Sequence, residues 1–332
     1  MISVEEALSL INNENSFLKK EENLPVSECL GRILAKPIVA PINLPSFRQS
    51  VMDGYALCLS DSNQYQVIGE IKAGDSPTHT LKPGKCVRIF TGAAVPEMAN
   101  AVVMQEKVSI KKDYIQINET PPLNHNIREI GSQIKAGDIS LEAGQILNPA
   151  GLGFIQSLGI EKLNVYSSLK VSVIVTGNEL IQAGQKLEEG KIYESNSLLL
   201  QAALKHFEIK NITIIKVEDR LDTTVNAIDQ AIKESNIVLV SGGISVGDYD
   251  FVGKAMEKLC VDQLFYKVRQ RPGKPLFFGK KKETYLFALP GNPAACLTCF
   301  YVYVLPTLKI SAGHSTQFGA MDTLPLAHQF SV

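Results

Sequence analysis

The stretch from Ile237 to Asp250 reads IVLVSGGISVGDYD, an aliphatic run that changes abruptly into a loop of glycine, serine and aspartate. Four consecutive aliphatic residues with no polar position are typical of a strand whose two faces are both covered by helices, as in a parallel sheet. In such a sheet, ligands bind beyond the carboxyl ends of the strands. The stretch therefore predicts a parallel strand followed by a loop that can face a ligand.

The second half of the chain continues this alternation of strands and helices. Val171–Val175 is another continuous aliphatic run, and helical patterns separate further strand candidates. We predict strands at 170–176, 211–217, 237–241, 264–268 and 285–289, with helices at 197–207, 223–235, 251–259 and 294–310. Strands that alternate with helices indicate an α/β domain built on a parallel sheet.

The first half of the chain has a different organisation. Between residues 65 and 118, short runs alternate polar and apolar residues with a period of two and are separated by turn signals, which predicts a small all-β domain. Upstream, Ser3 and Glu6 have the spacing of a capping box at the start of a helix, and 27–34 predicts a second helix. Prolines at positions 37, 41 and 45 predict an extended connector.

We therefore predict an α/β multidomain protein with four parts. These are an elongated helical and linker domain (1–45 with 140–168), a small β domain (46–139), a parallel-sheet α/β domain (169–313) and a tail (314–332).

Composition argues against several classes of partner. The chain has 332 residues, with 33 Lys and Arg against 34 Asp and Glu, so it lacks the excess of cations that nucleic-acid binding requires. We find no uncharged apolar stretch near the about 18 residues of a membrane span. Met1 leads into acidic residues rather than a basic leader. We expect a cytoplasmic protein with no nucleic-acid or membrane partner and with reduced cysteines.

Three segments that follow strands carry candidate chemistry. The glycines of Ser241–Asp250 can let backbone amides approach a phosphate, although a tight turn without a ligand has the same composition. Glu179, with Asp248 and Asp250, could hold Mg²⁺ beside that phosphate, or could be a helix cap or surface charge. Arg269–Pro275 places three cations in a proline-stiffened loop, which is either an oxyanion site or a solvated loop.

Seven segments, in chain order, resemble the motifs of the MoeA family, the molybdopterin molybdenumtransferases related to the E domain of gephyrin. They are Ser50–Ala56, Arg88–Ala93, Asn126–Arg128, Thr176–Leu180, Ser241–Asp250, Arg271–Pro275 and Leu289–Pro293. The resemblance covers nearly the whole chain. It implies a cytosolic homodimer that transfers molybdate into adenylated molybdopterin and releases AMP with Mg²⁺ or a similar divalent ion. It also implies molybdopterin adenylyltransferase and molybdoenzymes as transient partners.

The same resemblance implies roles for individual residues. The catalytic candidates are Asp53, Thr91, Glu179, Asp250, Lys274 and Arg271, and the metal ligands among them are Glu179 and Asp250. The substrate-binding candidates are Ser241, Gly242, Gly243, Ser245, Gly247, Asp248, Pro290, Pro293 and Asn196. In the family, the counterparts of Asp53 and Thr91 are expected to reach the site across the dimer.

The chain departs from the family pattern at three places. Gln133 stands where many members have a carboxylate, and Arg271 replaces a lysine. The usual C-terminal β domain has no counterpart before Val332. Three hypotheses follow: an active molybdenum insertase, a catalytically weak molybdopterin-binding protein or scaffold, and a CinA-like hydrolase of nucleotide pyrophosphates.

Overall fold

The computed structural model describes residues 1–14, 20–77, 80–244 and 251–314. They fall into two compact units. The α/β unit comprises Met1–Lys36, Ala143–Leu152 and Glu161–Val332, and the β unit comprises Pro37–Glu142 and Gly153–Ile160. This grouping places the first 36 residues with the α/β unit, whereas a separate linker domain stays a prediction. All of the predicted tail except His314 lies outside the described residues.

The helices are α1 Val4–Asn13, α2 Pro149–Ser157, α3 Asn196–His206, α4 Leu221–Glu234, α5 Phe251–Lys258, α6 Pro293–Cys299 and α7 Leu305–Ala312; the π-helical turn Phe300–Val304 joins the last two. The strands are β1 Glu21–Pro25, β2 Ile38–Val39, β3 Gln49–Ser50, β4 Gly54–Leu57, β5 Gln64–Ile71, β6 Lys85–Ile89, β7 Ala101–Met104, β8 Val108–Lys111, β9 Tyr114–Ile117, β10 Ile127–Arg128, β11 Ile139–Leu141, β12 Lys162–Tyr166, β13 Lys170–Thr176, β14 Leu180–Ile181, β15 Ile192–Tyr193, β16 Asn211–Val217, β17 Ile237–Ser241, β18 Asp262–Tyr266, β19 Phe277–Lys281 and β20 Thr284–Leu289.

The α/β unit is built on a six-stranded sheet in the order β16-β13-β17-β20-β19-β18. The first four strands are parallel, while β19 runs antiparallel to both β20 and β18. The purely parallel sheet that we predicted is therefore mixed at one side, and β19 was missed. Because two reversals restore the original direction, β18 points the same way as the four parallel strands. The loops after β13, β17, β18 and β20 thus lie at one edge of the sheet, which we call the carboxyl edge.

Helices cover both faces of this sheet and explain its aliphatic strands. Successive side chains of a strand point to opposite faces. Thus Val173 packs in a core with α1, α3 and α6–α7, whereas Ile174 packs in a second core with α4 and α5. Both residues are fully buried. The capping box that begins α1 is also confirmed, since Glu6 N donates to Ser3 Oγ at 3.1 Å and Ser3 N donates to the Glu6 carboxylate at 2.6 Å.

Two sequence expectations in the α/β unit were wrong. The helix predicted at 27–34 is a single 3₁₀ turn, Val26–Glu28. After it, Gly31 has a φ of +75° and Leu34 forms a β-bridge with Val165, so the backbone bonds to distant partners instead of continuing a helix.

The second concerns apolar stretches. The helix Pro293–Ala312 is long and apolar enough to cross a membrane, whereas we found no apolar stretch near that length in the sequence. However, 61% of its most apolar window is buried inside the protein, as in a core helix.

The β unit contains a second six-stranded sheet in the order β7-β4-β6-β5-β9-β8. Five of these strands overlap the predicted runs, whereas β4, which precedes residue 65, was missed. Gly54 begins the interior strand β4, where an added Cβ would overlap the backbone carbonyl of Val103 on β7. Only glycine therefore allows the two strands to pair at this position. The tight pairing places the preceding residue, Asp53, at the end of the sheet.

Candidate functional site

A cavity of about 310 Å³ lies at the carboxyl edge of the α/β unit. The ends of β13 and β17, the loop after β20 and the first residue of α3 contribute to its lining, which includes Thr176, Glu179, Asn196, Ser241, Gly242 and Pro293. A larger cavity of about 690 Å³ opens beside Lys170 and Thr284, the first residues of β13 and β20, and contains none of the predicted site residues. The smaller cavity is the candidate site, because ligands of open α/β sheets bind at the carboxyl ends of the strands.

Asn196 joins three elements of this cavity. Its Nδ2 donates to Ser241 Oγ and to the backbone carbonyl of Gly291, both at 2.8 Å. A carbonyl can only accept, so this contact determines which atom of the amide is the nitrogen. Asn196 is 8% exposed, and its buried Oδ1 has no hydrogen-bond partner among the described residues. Within the described part of the site, this acceptor is therefore unsatisfied, which is costly in a folded protein.

Glycine allows the loops after neighbouring strands to approach one another. Gly242 has a φ of +90°, and an added Cβ would overlap the carbonyl oxygen of Thr176. An added Cβ on Gly291 would lie 3.8 Å from Gly242 Cα. The predicted phosphate loop thus begins as expected at the end of β17. Its remaining candidates, Ser245, Gly247, Asp248 and Asp250, lie outside the described residues.

Two carboxylates lie near the end of β13. Glu179 is exposed, and both of its carboxylate oxygens would lie 2.9 Å from a Cβ on Gly177, so the side chain folds back over that glycine. Asp219 was missed by our sequence reasoning, although it follows the neighbouring strand β16 by two residues. Its Oδ1 accepts from Thr176 Oγ1 at 3.0 Å. In the described part of the chain, no group of three or more His, Cys, Asp or Glu residues could hold a metal ion.

Glu194 is a second lining residue that sequence reasoning missed. Its side chain is only 6% exposed, and its carboxylate accepts from Ser197 N at 2.7 Å and lies 3.2 Å from Lys216 Nζ. Burial alone would raise the pKa of Glu194, but the hydrogen bonds from Ser197 and Lys216 outweigh burial and leave it below its usual value. The cavity therefore carries a buried negative charge that is balanced by Lys216.

The predicted cations Arg271 and Lys274 lie at the same edge of the sheet, in the loop between β18 and β19. Both are exposed, and neither lines the cavity. Neither forms an ion pair with any residue that the structure describes. The shared position of Arg271 and Lys274 at the edge leaves both cations able to face an anion.

The two predicted prolines differ. Pro293 lines the cavity, whereas Pro290 is buried and does not.

The remaining predicted residues, Asp53 and Thr91, lie together in the β unit. Asp53 Oδ1 accepts from both the backbone N and the Oγ1 of Thr91, each at 2.7 Å. The backbone hydrogen bond, followed by the hydroxyl hydrogen bond, lowers the pKa of Asp53. Asp53 is therefore held as a carboxylate in a defined orientation. The expectation that this pair reaches the site across a dimer stays a prediction.

The chain is similar to known proteins along most of its length. Residues 2–159 match the family model described as the MoeA N-terminal region (domain I and II), and 172–310 match that described as a probable molybdopterin binding domain. The molybdopterin molybdenumtransferase of Haemophilus influenzae is 38% identical over 336 residues, which cover 98% of this chain and 83% of the relative. That of Staphylococcus epidermidis is 36% identical over 99% of this chain and 80% of its own length. The crystal structure of the molybdopterin biosynthesis MoeA protein from Pyrococcus horikoshii has a TM-score of 0.81 at 29% identity, covering 96% of this chain and 82% of that one.

Proposed function

The chain belongs to the MoeA family of molybdopterin molybdenumtransferases, and we propose that it is a molybdenum insertase that transfers molybdate into adenylated molybdopterin and releases AMP. The family makes it a transferase of molybdenum cofactor biosynthesis. The single observation that supports the finer reaction is the cavity in which Asn196, Ser241 and Gly291 converge beside the exposed carboxylate of Glu179. A cavity at the carboxyl edge that combines apolar and polar lining residues suits a ligand with heterocyclic and phosphate groups.

In this proposal, the residues of the α/β unit act mainly by positioning and by charge. The loop that begins at Ser241 receives the phosphate of the substrate, because its glycines let backbone amides approach closely. Glu179 orients a water molecule toward the phosphoanhydride, whose cleavage by that water yields AMP and the phosphate of molybdopterin. Arg271 and Lys274 offset the negative charge of molybdate.

A divalent ion fits this site only together with the substrate. Mg²⁺ usually takes one or two protein carboxylates and completes its ligands with water and phosphate oxygens. Glu179 is exposed and has the right chemistry for such a ligand, and Asp250 is the second candidate. When bound, the ion would neutralise charge on the phosphoanhydride. We also propose that the protein acts as a cytoplasmic homodimer, in which Asp53 and Thr91 of one subunit approach the α/β unit of the other.

The test is AMP release from adenylated molybdopterin by the purified protein with Mg²⁺, measured with and without molybdate. We expect molybdate-dependent AMP from the wild type and a loss of at least about 100-fold in Glu179→Ala, the usual scale for a catalytic acid, base or orienting group. Glu189→Ala, which removes an exposed carboxylate that does not line the cavity, is the matched control and should retain wild-type turnover.

Other outcomes identify the alternatives. Tight binding of the substrate without AMP release would indicate a binding protein or scaffold. AMP release that is independent of molybdate would indicate a hydrolase. Wild-type turnover in Glu179→Ala would refute the role of that carboxylate.

A further inference from the structure

We infer that Gln270 and Tyr303 are positioning residues that hold the cationic loop Arg271–Lys274 in place at the carboxyl edge; this inference rests on the function proposed above for Arg271 and Lys274. Neither residue was singled out by the sequence. Both lie outside the candidate cavity, and their role follows from the hydrogen bonds that connect the loop to the helix Pro293–Ala312.

Both the oxygen and the nitrogen of the Gln270 side-chain amide form hydrogen bonds. Its Oε1 accepts from the Tyr303 hydroxyl at 2.5 Å, and its Nε2 donates to the backbone carbonyl of Gly273 at 3.0 Å. The same Nε2 lies 3.4 Å from Cys299 Sγ. The hydroxyl and the carbonyl together determine the orientation of the amide, since a carbonyl can only accept. Gln270 therefore connects the loop to two residues on successive turns of the helix.

The loop has one buried anchor between two exposed cations. Gly273 is buried and has a φ of +96°, and an added Cβ would lie 2.5 Å from Gln270 Nε2 and 2.7 Å from Cys299 Sγ. The loop is closed on itself by a hydrogen bond from Val268 N to Lys274 O at 3.1 Å. Arg271 directly follows Gln270, and Lys274 directly follows Gly273. The hydrogen bond between Gln270 and Gly273 therefore helps to place the backbone of both cations.

Tyr303 is a rigid support for this contact. It is fully buried, and it lies within the π-helical turn Phe300–Val304. Such turns are rare and frequently occur at functional sites. The Tyr303 ring packs against Phe265 of β18, with ring centroids 6.3 Å apart. Burial raises the pKa of Tyr303 to about 12, so its hydroxyl remains a hydrogen-bond donor at neutral pH. The donor is thus held by the core of the unit.

Positioning matters here because oxyanion recognition depends on where charges lie. A site held by packed neighbours keeps its charged groups in a productive geometry, whereas a loose loop has to be ordered when the ligand binds. Arg271 and Lys274 have no ion pair among the described residues that could hold them otherwise. The hydrogen bonds of Gln270 and Tyr303 supply that order before the anion arrives.

The experiment compares Tyr303→Phe with Tyr65→Phe in the full chain. Tyr65 is also fully buried, and its hydroxyl accepts from Ser60 N at 3.2 Å in the β unit, so its loss is a matched change far from the loop in sequence. We expect Tyr303→Phe to increase amide hydrogen exchange in 267–276 by about five- to tenfold, the scale of one lost hydrogen bond. We also expect its KM for molybdate to rise by a similar factor while kcat changes less than twofold. Tyr65→Phe should change neither quantity.

Gln270→Met removes both ends of the contact and should have a larger effect on the same two quantities; it replaces Tyr303→Phe if that variant does not fold. Unchanged loop exchange in the folded variant would overturn the inference. Faster exchange with an unchanged KM for molybdate would show a structural contact only, and would also overturn it. If the wild type releases no AMP, the proposed function fails. In that case titration of each protein with molybdate alone replaces KM, with the same expected weakening.

Discussion

Replacement of Gly243 by alanine tests the close packing of the candidate site. Gly243 follows the end of β17 and has a φ of +61°. An added Cβ would lie 2.8 Å from Val252 Cγ2 and 3.0 Å from Thr176 Cγ2. Optimal contacts between carbon atoms are about 3.5–4.0 Å, so the methyl group is roughly 1 Å too close to a fully buried valine. The loop or the helix α5 has to move.

The matched control is Gly184→Ala. Gly184 also has a positive φ, +91°, but an added Cβ meets nothing within 4 Å. Both variants carry the left-handed backbone strain of about 1–2 kcal/mol, and only Gly243→Ala adds the overpacking cost of about 1–3 kcal/mol. We expect Gly243→Ala to lower the free energy of unfolding by about 2–5 kcal/mol in total. Its activity should fall by roughly 100-fold, because a shift near 1 Å misplaces groups at the site.

The measurement is hydrogen exchange of the amides of β13 and β17, which reports the stability of the α/β unit separately from the β unit. AMP release is measured on the same samples. Equal losses of stability and activity in the two variants would refute the reasoning, since backbone strain alone would then account for both.

Three further predictions follow from single contacts. In Thr91→Val, which removes one of the two hydrogen bonds that lower the pKa of Asp53, we expect that pKa to rise. Any activity that needs the Asp53 carboxylate is lost as the pH falls through this pKa, so the acid limb of the pH–rate profile should move to higher pH; an unmoved limb would contradict the assignment. Burial raises the pKa of Cys296 on α6 to about 11. Alkylation of the native protein at pH 8, followed by peptide mass spectrometry, should therefore modify the exposed Cys260 first. Early modification of Cys296 would show that α6 opens. Ser3→Ala removes the N-cap of α1 and should destabilise the α/β unit by about 1 kcal/mol, measured by hydrogen exchange against the exposed Ser9→Ala as control; equal effects of the two would show that the cap does not contribute.

Secondary structure in the α/β unit was largely predictable because its strands are continuous aliphatic runs between amphipathic helices. The runs 170–176, 211–217 and 237–241 match β13, β16 and β17 at both ends. The presence of β19 and its antiparallel direction were not predictable. Strand direction depends on which neighbour supplies the hydrogen bonds, and the local pattern of residues does not contain that information.

The candidate site was predictable where polar residues end a strand or follow it closely, as at Ser241 and Glu179. Asp219 follows the edge strand β16 by two residues, so the same rule would have identified it. Glu194 precedes a helix by two residues, and nothing in its local sequence distinguishes a buried lining residue from a solvent-exposed carboxylate. Its burial depends on Lys216, which is distant in sequence and adjacent only after folding.

The amino-acid sequence by itself determined the two kinds of architecture, the order of the strands and helices along the chain, and the family of the protein, because these depend on local periodicity and on short motifs. Only the tertiary structure decided that Asn196, Ser241 and Gly291 converge on one cavity. It also decided that Gln270 joins the cationic loop to Tyr303. Such contacts form between segments that are far apart in the chain, where the sheet places strand ends side by side about 4.8 Å apart, and hydrogen bonds across that spacing have no signature in local sequence.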